Sequence, residues 1–365
     1  MATSNGLVTI DTTRKDEIRM KSPAYFLAVS AICGLLTGTT NASPSGARPN
    51  IVFVLADDMG WNQPGFNGGN PELTPNIDRL ASEGMRLNEF YTHSVCAPTR
   101  AAFLTGRYAF RTWSDWRSED FGKPSYLAKL GLKLAHNKRG EPTRRIHALD
   151  TNERTIAEAL QEAGYFTALL GKWHLGEWLP EHLPMGQGFE HQYGHYAWGI
   201  DYYTKTIVHN APARFAVYDW HRNQRPVKED GYTTDLIAAE AERVIASRKD
   251  EDRPFFMYMA FNAPHDPRQS PQEYVEKYPV DEVELPKNFL PEYPYAEAMA
   301  AGRKLREEKL APFPRSPFAV KTNRQEYYAI ITHMDTMIGR ILDAVEATGK
   351  QDNTWIFFSA DHGLA

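Results

Sequence analysis

Ile51-Val52-Phe53-Val54-Leu55-Ala56-Asp57-Asp58-Met59-Gly60 decides the fold. Six apolar residues follow one another without alternation, the pattern of a strand buried on both faces of a parallel sheet, and the run stops at an acidic pair. The same grammar recurs downstream. Residues 165–170 run into Gly171-Lys172-Trp173-His174-Leu175-Gly176, residues 254–261 into Asn262-Ala263-Pro264-His265, and residues 354–359 into Asp361-His362-Gly363. Amphipathic helices lie between these runs. Thr74-Pro75 opens one with the stripe Ile77, Leu80 and Ala81, closed by Gly84. Another begins at Asn152, with Ile156, Ala159, Leu160 and Ala163 ahead of Gly164; residues 235–247 form a third. Ile330, Met334, Met337, Ile338, Ile341 and Val345 repeat at helical spacing before Gly349. Residues 85–91 read as a further strand. Residues 108–145, 177–232 and 268–324 read as surface loops and short helices, the middle stretch lining a pocket. Strands alternating with helices predict an α/β fold around a mostly parallel sheet.

In open α/β sheets ligands bind beyond the carboxyl ends of the strands. Asp57, Asp58, Lys172, His174, His265, Asp361 and His362 all follow a strand, so the pattern gathers them on one edge. An acidic pair after a strand commonly caps a turn, but a second acidic group at the same edge changes its meaning. Three carboxylates in one pocket repel unless a cation neutralises them. Oxygen ligands suit calcium or magnesium, and the scarcity of thiols argues against a structural zinc site. Lys172 and His174 are two apart, so an extended backbone would turn both side chains to one side.

The 365 residues, with 42% apolar and 24% charged side chains, are globular in composition, and a net charge of −5 gives no basic face for nucleic acid. Residues 1–42 read as a secretory signal: Lys21, an apolar run over 23–36, then Thr39-Thr40-Asn41-Ala42 before the cut. The run is too short for a stable membrane span, so the protein is expected to be exported to the periplasm or secreted. Asp11, Asp16 and Glu17 are foreign to such a signal, which makes 1–19 a spurious extension and Met20 the start. Residues 43–49 form a linker, and 50–365 the catalytic domain. Of the two cysteines, Cys33 lies in the signal and Cys96 remains, without a disulfide partner and hence a candidate for chemistry.

Within Cys96-Ala97-Pro98-Thr99-Arg100-Ala101-Ala102-Phe103-Leu104-Thr105-Gly106-Arg107, Thr99 to Leu104 reads as a short helix, with Pro98 preset for its first turn and Gly106 near its end. Cys96 then sits at the positive end, beside Arg100. The string C-x-P-x-R followed by L-T-G-R resembles the signature of the type I, formylglycine-dependent sulfatases. Leu55-Ala56-Asp57-Asp58-Met59-Gly60-Trp61 and Gly171-Lys172-Trp173-His174-Leu175-Gly176 are similar to the arylsulfatase B-like branch, and the resemblance runs from about Arg48 to the end.

The resemblance implies an alkaline-phosphatase-like sulfatase sandwich, with a mostly parallel central sheet flanked by helices. It implies that a formylglycine-generating enzyme oxidises Cys96, whose hydrated aldehyde attacks sulfur. It further implies that Asp57, Asp58, Asp361, His362 and residue 96 hold one Ca2+. Lys172 binds a sulfate oxygen, His174 takes a proton from the hydrate, His265 meets the bridging ester oxygen and Arg100 buttresses the nucleophile. The expected substrate is a sulfated carbohydrate or aryl sulfate ester. Thr99 stands where serine is usual and His362 where asparagine is commoner. Sulfatases continue past this point to another sulfate-binding lysine and a smaller C-terminal subdomain, which the resemblance expects to be missing here. A phosphonate or phosphate monoester hydrolase on the same frame, or a non-catalytic binder of sulfated glycans, remain alternatives. Trp198, Asp201, Tyr202 and Tyr203 are candidates for touching a sugar ring, whereas His93, His182, His191, His195, His209, His221 and His333 lack a comparable context.

Overall fold

A computed structural model describes residues 48–112, 148–177, 179–208, 217–292, 294–295 and 312–363. The signal, most of the linker, most of 108–145 and parts of 177–232 and 268–324 lie outside the described residues. Seven strands form one sheet: β1 (Asn50–Ala56), β2 (Phe166–Lys172), β3 (His191–His195), β4 (His221–Arg222), β5 (Arg225–Pro226), β6 (Phe255–Ala260) and β7 (Thr354–Ala360), in the order β5-β4-β3-β2-β6-β1-β7. From β3 to β7 every pairing is parallel, and the β4–β5 ribbon adds an antiparallel margin. The protein is therefore α/β with a mostly parallel sheet, as expected.

Helices cover both faces. On one face α1 (Pro75–Glu83), α4 (Thr233–Ser247) and α6 (Pro317–Ala347) enclose a core that includes Val52, Val54, Met257 and Met259. On the other, α2 (Cys96–Thr105) and α3 (Ile156–Glu162) pack over Leu55, Leu169, Phe256 and Tyr258. The short α5 (Gln272–Val275) lies against α6. Parallel strands run in step, so the segments leaving β1, β2, β6 and β7 emerge together. Gly171 in β2 is required by close approach: its φ is +104°, and a Cβ there would lie 2.0 Å from the Ala260 carbonyl oxygen.

Helix starts depend on more than their local signals. Thr155 and Glu158 form a reciprocal capping box at α3, and Ser316 accepts from the Ala319 amide at α6. At α1 the expected cap, Thr74, makes no capping bond; its hydroxyl accepts from Gly65 N instead. The buried carboxylate of Asp335, from α6, takes over and accepts from Asn76 N at 3.0 Å and Ile77 N at 2.9 Å.

Two expectations fail. Residues 85–91 contain no strand; Met85 and Tyr91 are 87% and 84% exposed. The segment pairs with none of the seven strands. Within 177–232, expected to be loops, β3 is a fully buried strand. Its composition, His-Gln-Tyr-Gly-His, is tolerated because its polar groups find partners, such as Glu240 for His191 Nε2 at 2.7 Å and the Ala197 carbonyl for His195 Nδ1 at 3.1 Å.

Removing the Asp335 carboxylate strands two buried α1 amides. Asp335→Ala should lower unfolding stability by about 2 kcal/mol. Urea denaturation of the purified chain checks this, and an unchanged midpoint would contradict the assignment of Asp335 as the cap of α1.

Candidate active site

The site begins with the backbone after β1. Asp57 N donates to the Ala263 carbonyl at 2.9 Å, and Asp58 turns into the left-handed region at φ 66°. That conformation costs a non-glycine residue about 1 kcal/mol and persists only where surroundings hold it. Here they do. Asp58 N donates to Asp361 Oδ1 at 3.0 Å, while Tyr327 Oη donates to Asp58 O at 2.8 Å and accepts from Gly60 N at 3.0 Å. The turn thus aims two carboxylates in different directions from consecutive residues.

The start of α2 supplies the nucleophile candidate. Val95 is the N-cap and Cys96 the first helical residue, 5% exposed, so the helix starts three residues earlier than the expected Thr99. The Thr99 hydroxyl reaches the Asp361 carbonyl at 2.9 Å, tying α2 to the end of β7. One turn on, Arg100 is buried between Asp361 Oδ2 at 2.9 Å and Asp57 Oδ1 at 3.2 Å, with a third bond to the Lys172 carbonyl. Lys172 Nζ meets Asp57 Oδ2 at 2.5 Å.

Three buried carboxylates therefore face two permanent cations. Burial alone would raise the Asp57 carboxyl, but Lys172 and Arg100 outweigh it and hold it at about 2. At Asp58 the hydrogen bond from His362 overcomes burial to give about 2. Asp361 is pushed up by burial and the neighbouring Asp57 charge. The remaining deficit of positive charge falls on His362. Burial opposes its protonation, yet Asp58, 2.9 Å from Nε2, raises it to about 9. Burial and surrounding carboxylates also push the Cys96 thiol well up, so the unmodified sulfur is a neutral thiol and a poor nucleophile.

Two histidines, His362 and His265, reach the same carboxylate of Asp58. His362 Nε2 lies 3.1 Å from Cys96 Sγ, and its Nδ1 donates to the Gly363 carbonyl. His265 Nδ1 donates to the Asp266 carbonyl at 2.6 Å, which leaves Nε2 toward the site, 3.7 Å from Asp58 Oδ2. His174 is not on an extended backbone as expected: β2 ends at Lys172, and His174 adopts φ 58°. Alternation therefore does not place it. Burial, then Lys172 and Arg100, push its imidazole well down, so it is neutral.

Donor atoms of Asp58, Cys96, Asp361 and His362 lie within 4.8 Å of one another. Two of the four are carboxylates, and the proton recruited by His362 marks where positive charge is wanted. The residues present fit a hard divalent cation, best when an oxygen replaces the soft sulfur at position 96. Asp57, engaged by Lys172 and Arg100, borders the set.

Residues 49–365 match the profile of the sulfatase family. The chain belongs to that family. It is 29% identical over 360 residues to an arylsulfatase of Klebsiella aerogenes, covering 94% of this chain and 71% of that protein. It is 29% identical to the N-acetylgalactosamine-6-sulfatase of Mus musculus, with coverages of 93% and 54%. Among solved structures, Ps i-CgsB in complex with k-i-k-neocarrahexaose superposes with a TM-score of 0.61 at 27% identity, covering 86% of this chain and 58% of the other. The phosphonate monoester hydrolase of Agrobacterium radiobacter shares the fold, with a TM-score of 0.57 at 19% identity and coverages of 87% and 63%. The chain thus spans little more than half the length of several sulfatases it matches.

The structure brings Asp57, Asp58, Cys96, Arg100, Lys172, His265, Asp361 and His362 together; His174 is buried and feels the charges of Lys172, Arg100 and His265, with no direct contact to the group. Sequence reasoning passed over Tyr327, which clamps the Asp58 turn, and Thr99 as a tie to Asp361. Tyr327 falls within an ordinary helical stripe and carries no local signal. His333, expected on a helix surface or in packing, is buried and pairs with Asp235 at 2.9 Å.

The lowered carboxyls predict an acid dependence. A group held below its unfolded value of 3.8 contributes stability above that pH and loses it as pH falls toward about 2. Urea midpoints measured between pH 5 and 2 should fall less steeply in Asp57→Asn than in the wild-type chain. Parallel acid limbs would contradict the Asp57 pairing.

Proposed function

We propose that this protein hydrolyses sulfate esters of sugars or aryl alcohols to inorganic sulfate, with Cys96 matured to formylglycine and one calcium ion. The observation carrying this reading is the meeting of Cys96, Lys172 and Arg100 with three carboxylates at one strand edge. The thiol as it stands has neither the charge nor the second hydroxyl that turnover needs. When matured, position 96 would supply a hydrated aldehyde as nucleophile; Asp58, Asp361, His362 and residue 96, with Asp57 bordering them, would hold a calcium ion, which when bound would supply Lewis-acid stabilisation of charge on the sulfate.

The chain's own groups do the rest. Lys172 sits buried beside Asp57 with donors left for a sulfate oxygen, where charge grows in the transition state. Arg100 keeps Asp57 and Asp361 in place. His265, its Nδ1–H committed to the Asp266 carbonyl, would in its imidazolium form give the Nε2 proton to the departing oxygen. His174, neutral in its buried setting, accepts the proton released at position 96. A sugar substrate is supported by relatives named for N-acetylgalactosamine 6-sulfate and by the neocarrahexaose complex. Export is inferred from residues 1–42; among the described residues no helix is long and apolar enough to cross a membrane.

Peptide mass spectrometry across residue 96 should show the aldehyde, and Cys96→Ala should cut sulfate release by about a thousandfold or more at unchanged stability. Equal rates for variant and wild type would overturn the reading. Chelation with EGTA should abolish turnover and lower the melting temperature, with both restored by calcium. A chelated protein with unchanged melting and turnover would remove calcium from the scheme.

A further inference from the structure

Gly199 lies against the His265 ring. A Cβ at this position would stand 3.2 Å from His265 Cε1, 3.5 Å from Nδ1, and 3.2 Å from Val208 Cγ2 on the other side. With the Val208 side chain in place, residue 199 has no room to shift away from the ring. Val208 N donates to Gly199 O at 3.2 Å, and the next residue, Ile200, bridges Ile207 in antiparallel fashion. Trp198 meets the same imidazole edge-on, with ring centroids 5.8 Å apart. The opposite side is equally fixed, because the Tyr202 hydroxyl reaches the His265 and Asn262 carbonyls at 2.9 and 2.8 Å.

We propose that Gly199 is a positioning residue for His265, and that the absence of a side chain there sets which leaving groups the site can expel. The inference rests on His265 as the proton donor of the proposed sulfatase reaction. Seated against a bare backbone, the ring holds Nε2 toward the leaving oxygen. A methyl group on residue 199 presses on Cε1 and turns the ring by a few tenths of an ångström. Such a shift penalises esters in proportion to their need for a proton. A sugar alkoxide leaves poorly without one, whereas 4-nitrophenolate leaves readily as the anion.

The test compares Gly199→Ala with wild type on 4-nitrophenyl sulfate and on N-acetylgalactosamine 6-sulfate. The ratio of kcat on the sugar ester to kcat on the aryl ester should fall about tenfold, and Val208→Ala added to Gly199→Ala should restore it by giving the methyl room. Parallel losses on both esters, or no recovery in the double variant, would overturn the proposal. A second readout does not depend on turnover: the His265 Cε1–H resonance should move in Gly199→Ala and return in the double variant. An unmoved resonance overturns the positioning role. A moved and rescued resonance in a protein inactive on both esters would uphold it while sinking the sulfatase reading.

Discussion

Buried charge of one sign, gathered beyond what the local cations offset, is the constraint on which this molecule turns. Asp57, Asp58 and Asp361 are withdrawn from water at the strand edge, where each carboxylate strongly disfavours its neighbours. Arg100 answers by bridging two of them, Lys172 by pairing with the first, and His362 by taking up a proton beside the second. Every one of these contacts joins a different segment of the chain. The need to compensate the acids therefore organises α2, β2 and β7 around the end of β1. The same imbalance fits the place to a divalent cation and an anionic substrate together.

Much of this was legible in residue order, for a simple reason. A strand covered on both faces cannot alternate, so β1, β2 and β6 appear as apolar runs; β7 is apolar too, although it lies at the end of the sheet with Trp355 and Phe357 exposed, and the polar residues after each run fall at one edge. β3 escaped because its polar residues are reconciled to burial by partners such as Glu240, distant in sequence. Residues 85–91 misled because apolar content alone does not provide a free place in a sheet. The cap of α1 was invisible locally, since Asp335 comes from a helix far downstream. His174 reached the site by a left-handed turn and not by strand alternation. Tyr327 and Gly199 matter only through the groups that tertiary structure sets against them.

The matched proteins and the physical reading bear on different levels. Similarity over most of the chain identifies the family, while the geometry explains why these residue types serve at these positions. The neutral thiol of Cys96 illustrates the difference. A cysteine hemmed in by acids is badly placed for ordinary thiolate chemistry, and well placed for an oxygen nucleophile beside a cation.

Two of the attachments of the long helix α6 bear on the site. Tyr327 holds the turn of Asp58, and about two helical turns later Asp335 anchors the first amides of α1. These grips share one rigid rod, so loosening at either end is felt at the other. Packing defects in the α1–α6 layer would thus be transmitted to the acidic turn, and order at the chemical centre becomes a property of the whole layer.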